Sequence, residues 1–178
     1  MGKLARFLFR ADDLLQRALL GICGFILLMM VVISALGVVF RFVLHSSLSW
    51  SEEIVAYLFV WLTCLGAAVG FKLRAHPEVK ALVERMPRVL QVNLSVLTDL
   101  VVMALGYVMV RHGGEMIALM GTETAASLPI SMAYPYLAIP LGGAALMFHS
   151  ACHALSLLLA GKGQAAIVSV PGHGSENV

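Results

Sequence analysis

Two histidines, His149 and His153, stand four residues apart in a long apolar stretch, one helical turn from each other. Imidazoles at that spacing are candidates for holding a haem iron or a metal ion, and a bis-histidine haem needs a partner at the same depth on a facing helix. The neighbouring apolar stretch has Gln91 and Asn93 at that level, while His45 and His112 fall at the far ends. The pair is therefore expected to be interfacial. Asp99 lies mid-way along another apolar stretch, where an ionised carboxylate is costly and often functional. A proton relay would need a second titratable group at similar depth, and the other stretches offer no Asp, Glu, Lys or Arg there. Asp99 is expected instead to face another subunit, or to hydrogen-bond Thr98, Ser95 or a neighbouring helix.

Glu52 and Glu53 follow Ser49, Trp50 and Ser51 and look like a helix start. Either serine can cap the first turn, and the carboxylates meet the positive end of the helix dipole. Trp50 suits the aromatic belt at a membrane interface. Arg41, across a short turn, is expected to pair with one of these glutamates. The three cysteines, Cys23, Cys64 and Cys152, are odd in number and scattered through apolar segments, which suits neither a disulfide framework nor a zinc site. They read as small apolar fillers. No residue is assigned to catalysis, to a cofactor or to a metal.

The elements that would carry these residues are membrane spans. The chain has 178 residues, 60% hydrophobic and 12% charged, about half the charge of an ordinary soluble domain. A helix needs about 20 apolar residues to cross a hydrocarbon core. Four stretches qualify, at about 18–43, 52–72, 89–111 and 132–160. The first is too long for a cleavable signal sequence and lacks a cleavage pattern. The expected fold is all-α: one four-helix integral membrane domain over 1–160, followed by a flexible Gly- and Ser-rich tail over 161–178.

Lys and Arg set the orientation. Four of the 12 precede the first span (Lys3, Arg6, Arg10, Arg17), five lie between spans two and three (Lys72, Arg74, Lys80, Arg85, Arg88), and Lys162 is in the tail. Only Arg41 and Arg111 fall on the other side. Cytoplasmic loops carry the cationic excess, so both termini are expected in the cytoplasm. Two shorter segments read as surface helices on that face. In the first, Leu4, Phe7, Leu8, Ala11, Leu14, Leu15 and Ala18 form an apolar stripe opposite Lys3, Arg6, Arg10, Asp13 and Arg17, a basic amphipathic helix at headgroup level. In the second, Val79, Leu82, Val83 and Met86 line one side between Pro77 and Pro87. Gly66 and Gly70 make a GxxxG spacing on span two, and Gly142, Gly143, Ala144 and Ala145 cluster on span four, so both helices are candidates for close contacts.

The order of these features resembles one family. Arg41-Phe42-Val43, Ser49-Trp50-Ser51-Glu52-Glu53, Trp61, Gly66-Ala67-Ala68 and His76, then Pro87, Leu128-Pro129-Ile130 and the run Tyr136–Gly142, look like the small membrane subunit of the tripartite ATP-independent periplasmic (TRAP) transporters. The resemblance covers roughly residues 17–160. It departs at Pro77 and Lys80, where the family usually has an isoleucine and an aspartate.

What the resemblance implies is a non-catalytic scaffold subunit of a sodium-driven importer in the bacterial inner membrane. Its partners would be a large multi-spanning subunit that holds the substrate and sodium sites, a periplasmic substrate-binding protein, and membrane lipids, but no nucleic acid. Arg41, Trp50, Glu52, Glu53, Trp61, Gly66 and His76 are the expected structural or interface residues. The outer turns, 44–51 and 112–131, are expected to help dock the binding protein. Two alternatives remain open: a haem- or quinone-binding membrane subunit built on His149 and His153, and an autonomous proton-coupled transporter using Asp99.

Overall fold

A computed structural model describes residues 3–45, 48–73 and 88–159. Among these the chain is nearly all helix: α1 (Lys3–Phe42), α2 (Ser49–Leu73), α3 (Arg88–Met120), the one-turn α4 (Ala133–Tyr136) and α5 (Ala138–Leu159). Four segments are long and apolar enough to cross a bilayer, namely Phe7–Phe42, Ser49–Leu73, Asn93–Met120 and Ala133–Leu157. The integral membrane protein with four spans anticipated from the sequence is the fold observed.

The bounds differ in two places. α1 is unbroken for 40 residues, which at 1.5 Å per residue is about 60 Å, roughly twice the hydrocarbon thickness. The basic amphipathic segment is therefore a direct extension of span one, because Gly21 and Gly24 pass without a break. Its neighbour-facing side is also different from the expected apolar stripe. Asp12, Gln16 and Leu19 are buried, whereas Phe7 and Leu14 are 68% and 70% exposed. α3 runs on past Arg111 to Met120. Gly113 explains why it can: a Cβ there would lie 2.8 Å from Pro140 Cδ, so the glycine admits close passage of α5 without leaving the helix. The surface helix expected over 79–86 and the tail over 161–178 lie outside the described residues.

Helix α5 is the centre of the arrangement. It packs most extensively against α3 and then α2, while α1 lies along α2 and touches α5 only lightly. Accordingly 44% of the most apolar 18-residue stretch of span four is buried within the chain, against 6% of the corresponding stretch of span one. Paired glycines wedge α5 into place. A Cβ at Gly142 would stand 2.8 Å from the Cys64 carbonyl on α2, and a Cβ at Gly143 would stand 2.8 Å from the Gly106 carbonyl on α3. Gly106 reciprocates, since its own Cβ would meet the Gly143 carbonyl at 2.8 Å. Small residues thus let backbones come together where side chains would hold them apart. The apolar core beside this wedge is Leu19, Ile26, Leu65, Ala68, Val69, Ala145 and Leu146. Gly66 and Gly70, by contrast, have nothing within 4 Å of where a Cβ would stand, so no described neighbour requires a glycine at either position.

At the end of α1, His45 adopts φ 54°, the left-handed conformation in which histidine is tolerated better than most side chains. The α3–α4 connection folds as a tight loop. Ala125 N–H donates to the Ile130 carbonyl at 2.8 Å, Met132 N–H donates to the Glu123 carbonyl at 3.0 Å, and Thr124 bridges to Ser131.

Candidate functional site

Among the described residues, polar side chains tie separate helices and loops together at two places. The first is near the carboxyl end of α2. Lys72 Nζ contacts Asp12 Oδ2 at 2.6 Å and Asp13 Oδ1 at 2.8 Å, and the other Asp12 oxygen faces His149 Nδ1 at 2.6 Å. Gln16 Nε2, one turn after Asp12, donates to the Val69 carbonyl at 3.3 Å. Three helices are joined by one cluster. A buried charge is costly unless it is paired and hydrogen-bonded, which is why Asp12, 8% exposed, is held on both oxygens.

A second pair sits close by, one turn further along α5. Asp99, 4% exposed, has Oδ2 2.6 Å from His153 Nδ1, and Ser150 Oγ donates to the Asp99 carbonyl at 2.8 Å. Asp99 therefore bonds a neighbouring helix, one of the arrangements expected of it. The histidines, expected at the membrane interface, are engaged within the chain. His149 is 2% exposed, and each imidazole meets a carboxylate, one from α1 and one from α3. Residues four apart on a helix lie on one face but point about 40° apart, enough for the two rings to diverge to different neighbours. No cluster of three or more potential metal ligands occurs among the described residues.

The second place is the amino end of α2. The Glu53 carboxylate accepts the N–H of Ala126 at 2.9 Å, that of Ser127 at 2.8 Å and the Tyr57 hydroxyl at 2.5 Å. The Tyr57 oxygen also lies 3.7 Å from Met132 Sδ, and Trp61 Nε1 donates to the Tyr134 carbonyl at 3.2 Å. Positions 53, 57 and 61 share one face of α2. That face holds the α3–α4 loop and the start of span four. Glu53 and Trp61 are among the residues singled out from the sequence; Tyr57 is not, although its four-residue offset from both is visible there.

Over the described residues Arg41 makes no ion pair with either glutamate, contrary to expectation. Its guanidinium lies 6.0 Å from the Phe42 ring, and it shares a cleft with Glu52. Nor does either serine cap α2 as expected. Ser51 Oγ instead donates back to the Leu48 carbonyl at 2.8 Å and packs against Gly37. Trp50 is 37% exposed, Glu52 is exposed, and Gly66 has open space beside it. His76 lies outside the described residues.

Residues 18–160 match the family model described as the DctQ component of the tripartite ATP-independent periplasmic transporters. The chain belongs to this DctQ family. It is 34% identical over 111 residues to the "Putative TRAP transporter small permease protein" of Haemophilus influenzae, a match that spans 62% of this chain and 65% of that relative. The DctQ match begins at residue 18, so Asp12, Asp13 and Gln16 stand before it while Lys72, Asp99, His149 and His153 fall inside. The three-helix cluster thus joins a leading segment to the family domain. The chain is a multi-pass membrane protein of this family.

Proposed function

We propose that this chain is the small, non-catalytic scaffold subunit of a sodium-coupled TRAP importer. In this reading it sits in the bacterial inner membrane with both termini in the cytoplasm. It braces the large transport subunit there and helps dock the periplasmic binding protein through the loop that Glu53 holds. The observation that carries the reading is how the buried charges are used. Asp12 pairs with Lys72 and with His149, and Asp99 pairs with His153, each contact tying one helix to another, while His149 Nε2 is buried without a hydrogen-bond partner among the described residues. The exposed apolar length of α1 and α3 supports it too, since those faces are available to lipid or to a larger subunit. The cationic bias of ten in 12 supports the orientation. Small permease is also how the relative from Haemophilus influenzae is described.

The deciding experiment is a mild-detergent pull-down of the tagged chain from its native membranes. Recovery of a membrane protein with many more spans is the expected outcome. A chain recovered alone, or only with itself, would overturn the scaffold role. The Asp99–His153 pair supports a second reading, a proton-coupled transporter acting alone. Uptake by the reconstituted chain without partners, abolished by Asp99→Asn, would establish that instead.

A further inference from the structure

The cleft of about 220 Å³ between the end of α1 and the start of α2 is used by neither ionic cluster nor by the loop clamp. Gly37, against which Ser51 Oγ packs, lets the two helices close over its floor, and Val38, Phe42 and Leu48 make apolar walls. Arg41 and Glu52 are both on its lining, one cationic and one anionic, without an ion pair between them. Arg41 is in the last turn of α1 and Glu52 in the first turn of α2, so the cleft opens where two spans reach the membrane boundary. One turn further along α1 is Ser34, small and exposed, and then the apolar Val31, also exposed, both on the side of Val38 and toward the middle of the span.

A cation and an anion set apart in an apolar-walled cleft at headgroup depth, with a track of small and apolar side chains leading into the bilayer, complement a zwitterion that carries acyl chains. We propose that this cleft binds a phosphatidylethanolamine. Arg41 donates to the phosphate, for which a guanidinium fork is well shaped. The Glu52 carboxylate accepts N–H bonds from the primary ammonium, and one acyl chain runs along Val38, Ser34 and Val31. The carboxylate supplies the selectivity. The quaternary ammonium of phosphatidylcholine has no N–H to give, and phosphatidylglycerol has no cation at all.

The test is native mass spectrometry of the full chain, titrated in mild detergent with phosphatidylethanolamine, phosphatidylcholine and phosphatidylglycerol in parallel. The expected result is preferential binding of phosphatidylethanolamine. Arg41→Ala should weaken it about tenfold, the effect of losing one charge-assisted contact, and Arg41→Lys, which keeps the charge but loses the fork, should weaken it less. Glu52→Gln should lower phosphatidylethanolamine to the level of phosphatidylcholine. Circular dichroism of each variant checks that helicity is kept, and the selectivity of the wild-type chain tests the assignment without any variant.

Equal binding of the three lipids, or binding unchanged by Glu52→Gln, would overturn the proposal. So would competition by free glycerophosphoethanolamine at the same concentration as the lipid, which would make the cleft a site for a soluble headgroup. If a complex purified from native membranes carries no phosphatidylethanolamine that Arg41→Ala removes, a protein neighbour fills the cleft and the assignment falls.

Discussion

Glu52 and Glu53 are adjacent and chemically equal, yet a helix turns them about 100° apart and gives them different work. Glu53 holds two backbone N–H groups of the α3–α4 loop and the Tyr57 hydroxyl, whereas Glu52 looks into the cleft beside Arg41. Hydrogen bonds to a charged group are stronger than neutral ones. Glu53→Ala should therefore release the loop and raise its cleavage rate by a soluble protease roughly tenfold, while Glu52→Ala leaves cleavage unchanged. Tyr57→Phe should fall between, since it removes one donor and keeps the two backbone bonds. If replacing Glu52 loosens the loop as much as replacing Glu53, the clamp has been assigned to the wrong carboxylate. Uptake and assembly should follow the same order, with Glu53→Ala alone giving as large a defect as replacing Glu52 and Glu53 together. The sequence marks this helix start as important, but it cannot say which glutamate turns toward the loop. That depends on a contact 73 residues away.

At the scale of elements, composition reads well and contact reads poorly. Four spans are legible because the requirement to satisfy every backbone group in lipid leaves few alternatives to a helix. The continuation of α3 through Gly113 and Gly114 is not legible, because paired glycines ordinarily argue for an end. Here the missing side chain at Gly113 makes room for Ile139 and Pro140. The same ambiguity attaches to small residues generally: Gly66-x-x-x-Gly70 has the familiar spacing and open space beside it, whereas Gly106 and Gly143, far apart in sequence, touch. Replacements should separate the two classes. Gly143→Ala puts a methyl within 2.8 Å of a backbone carbonyl and a Cβ, so α5 must move away from α3. The cost should be about 1–3 kcal/mol, typical of overpacking, read as a lower midpoint in a denaturing-detergent titration. Gly66→Ala should leave that midpoint unchanged. In the scaffold reading it should nevertheless weaken recovery of the large subunit, and a loss of chain stability instead would place Gly66 in the internal packing after all.

For the whole molecule, the question is what makes four slender helices one body when so little of their apolar surface is buried. In lipid the gain from bringing apolar faces together is small, because the acyl chains are as apolar as leucine. Close backbone contact and polar pairs must supply the cohesion, and here α5 carries both. Its glycines admit α2 and α3, while His149 reaches the Asp12–Lys72 pair of α1 and α2 and His153 reaches Asp99 of α3. The charges are visible one by one in the sequence. Their pairing is hidden because Asp12 comes from the leading segment, which reads by itself as a surface helix, and because His153 reads by its position as interfacial. Pairing of this kind makes an asymmetric prediction. Asp99→Leu strips His153 of its carboxylate, and His153→Leu leaves a carboxylate buried beside apolar residues. Breaking a buried pair from one side costs roughly 3–5 kcal/mol, whereas replacing both partners by apolar groups is close to neutral. Each single variant should therefore lower the denaturation midpoint, the aspartate-retaining one more, and the Asp99→Leu/His153→Leu double variant should recover most of the loss. Recovery would identify the pair as a structural tie between α3 and α5. If the double variant were stable but uptake by the assembled transporter were lost, the pair would have a task beyond cohesion, and the proton-coupled reading would gain the ground that the scaffold reading gives up.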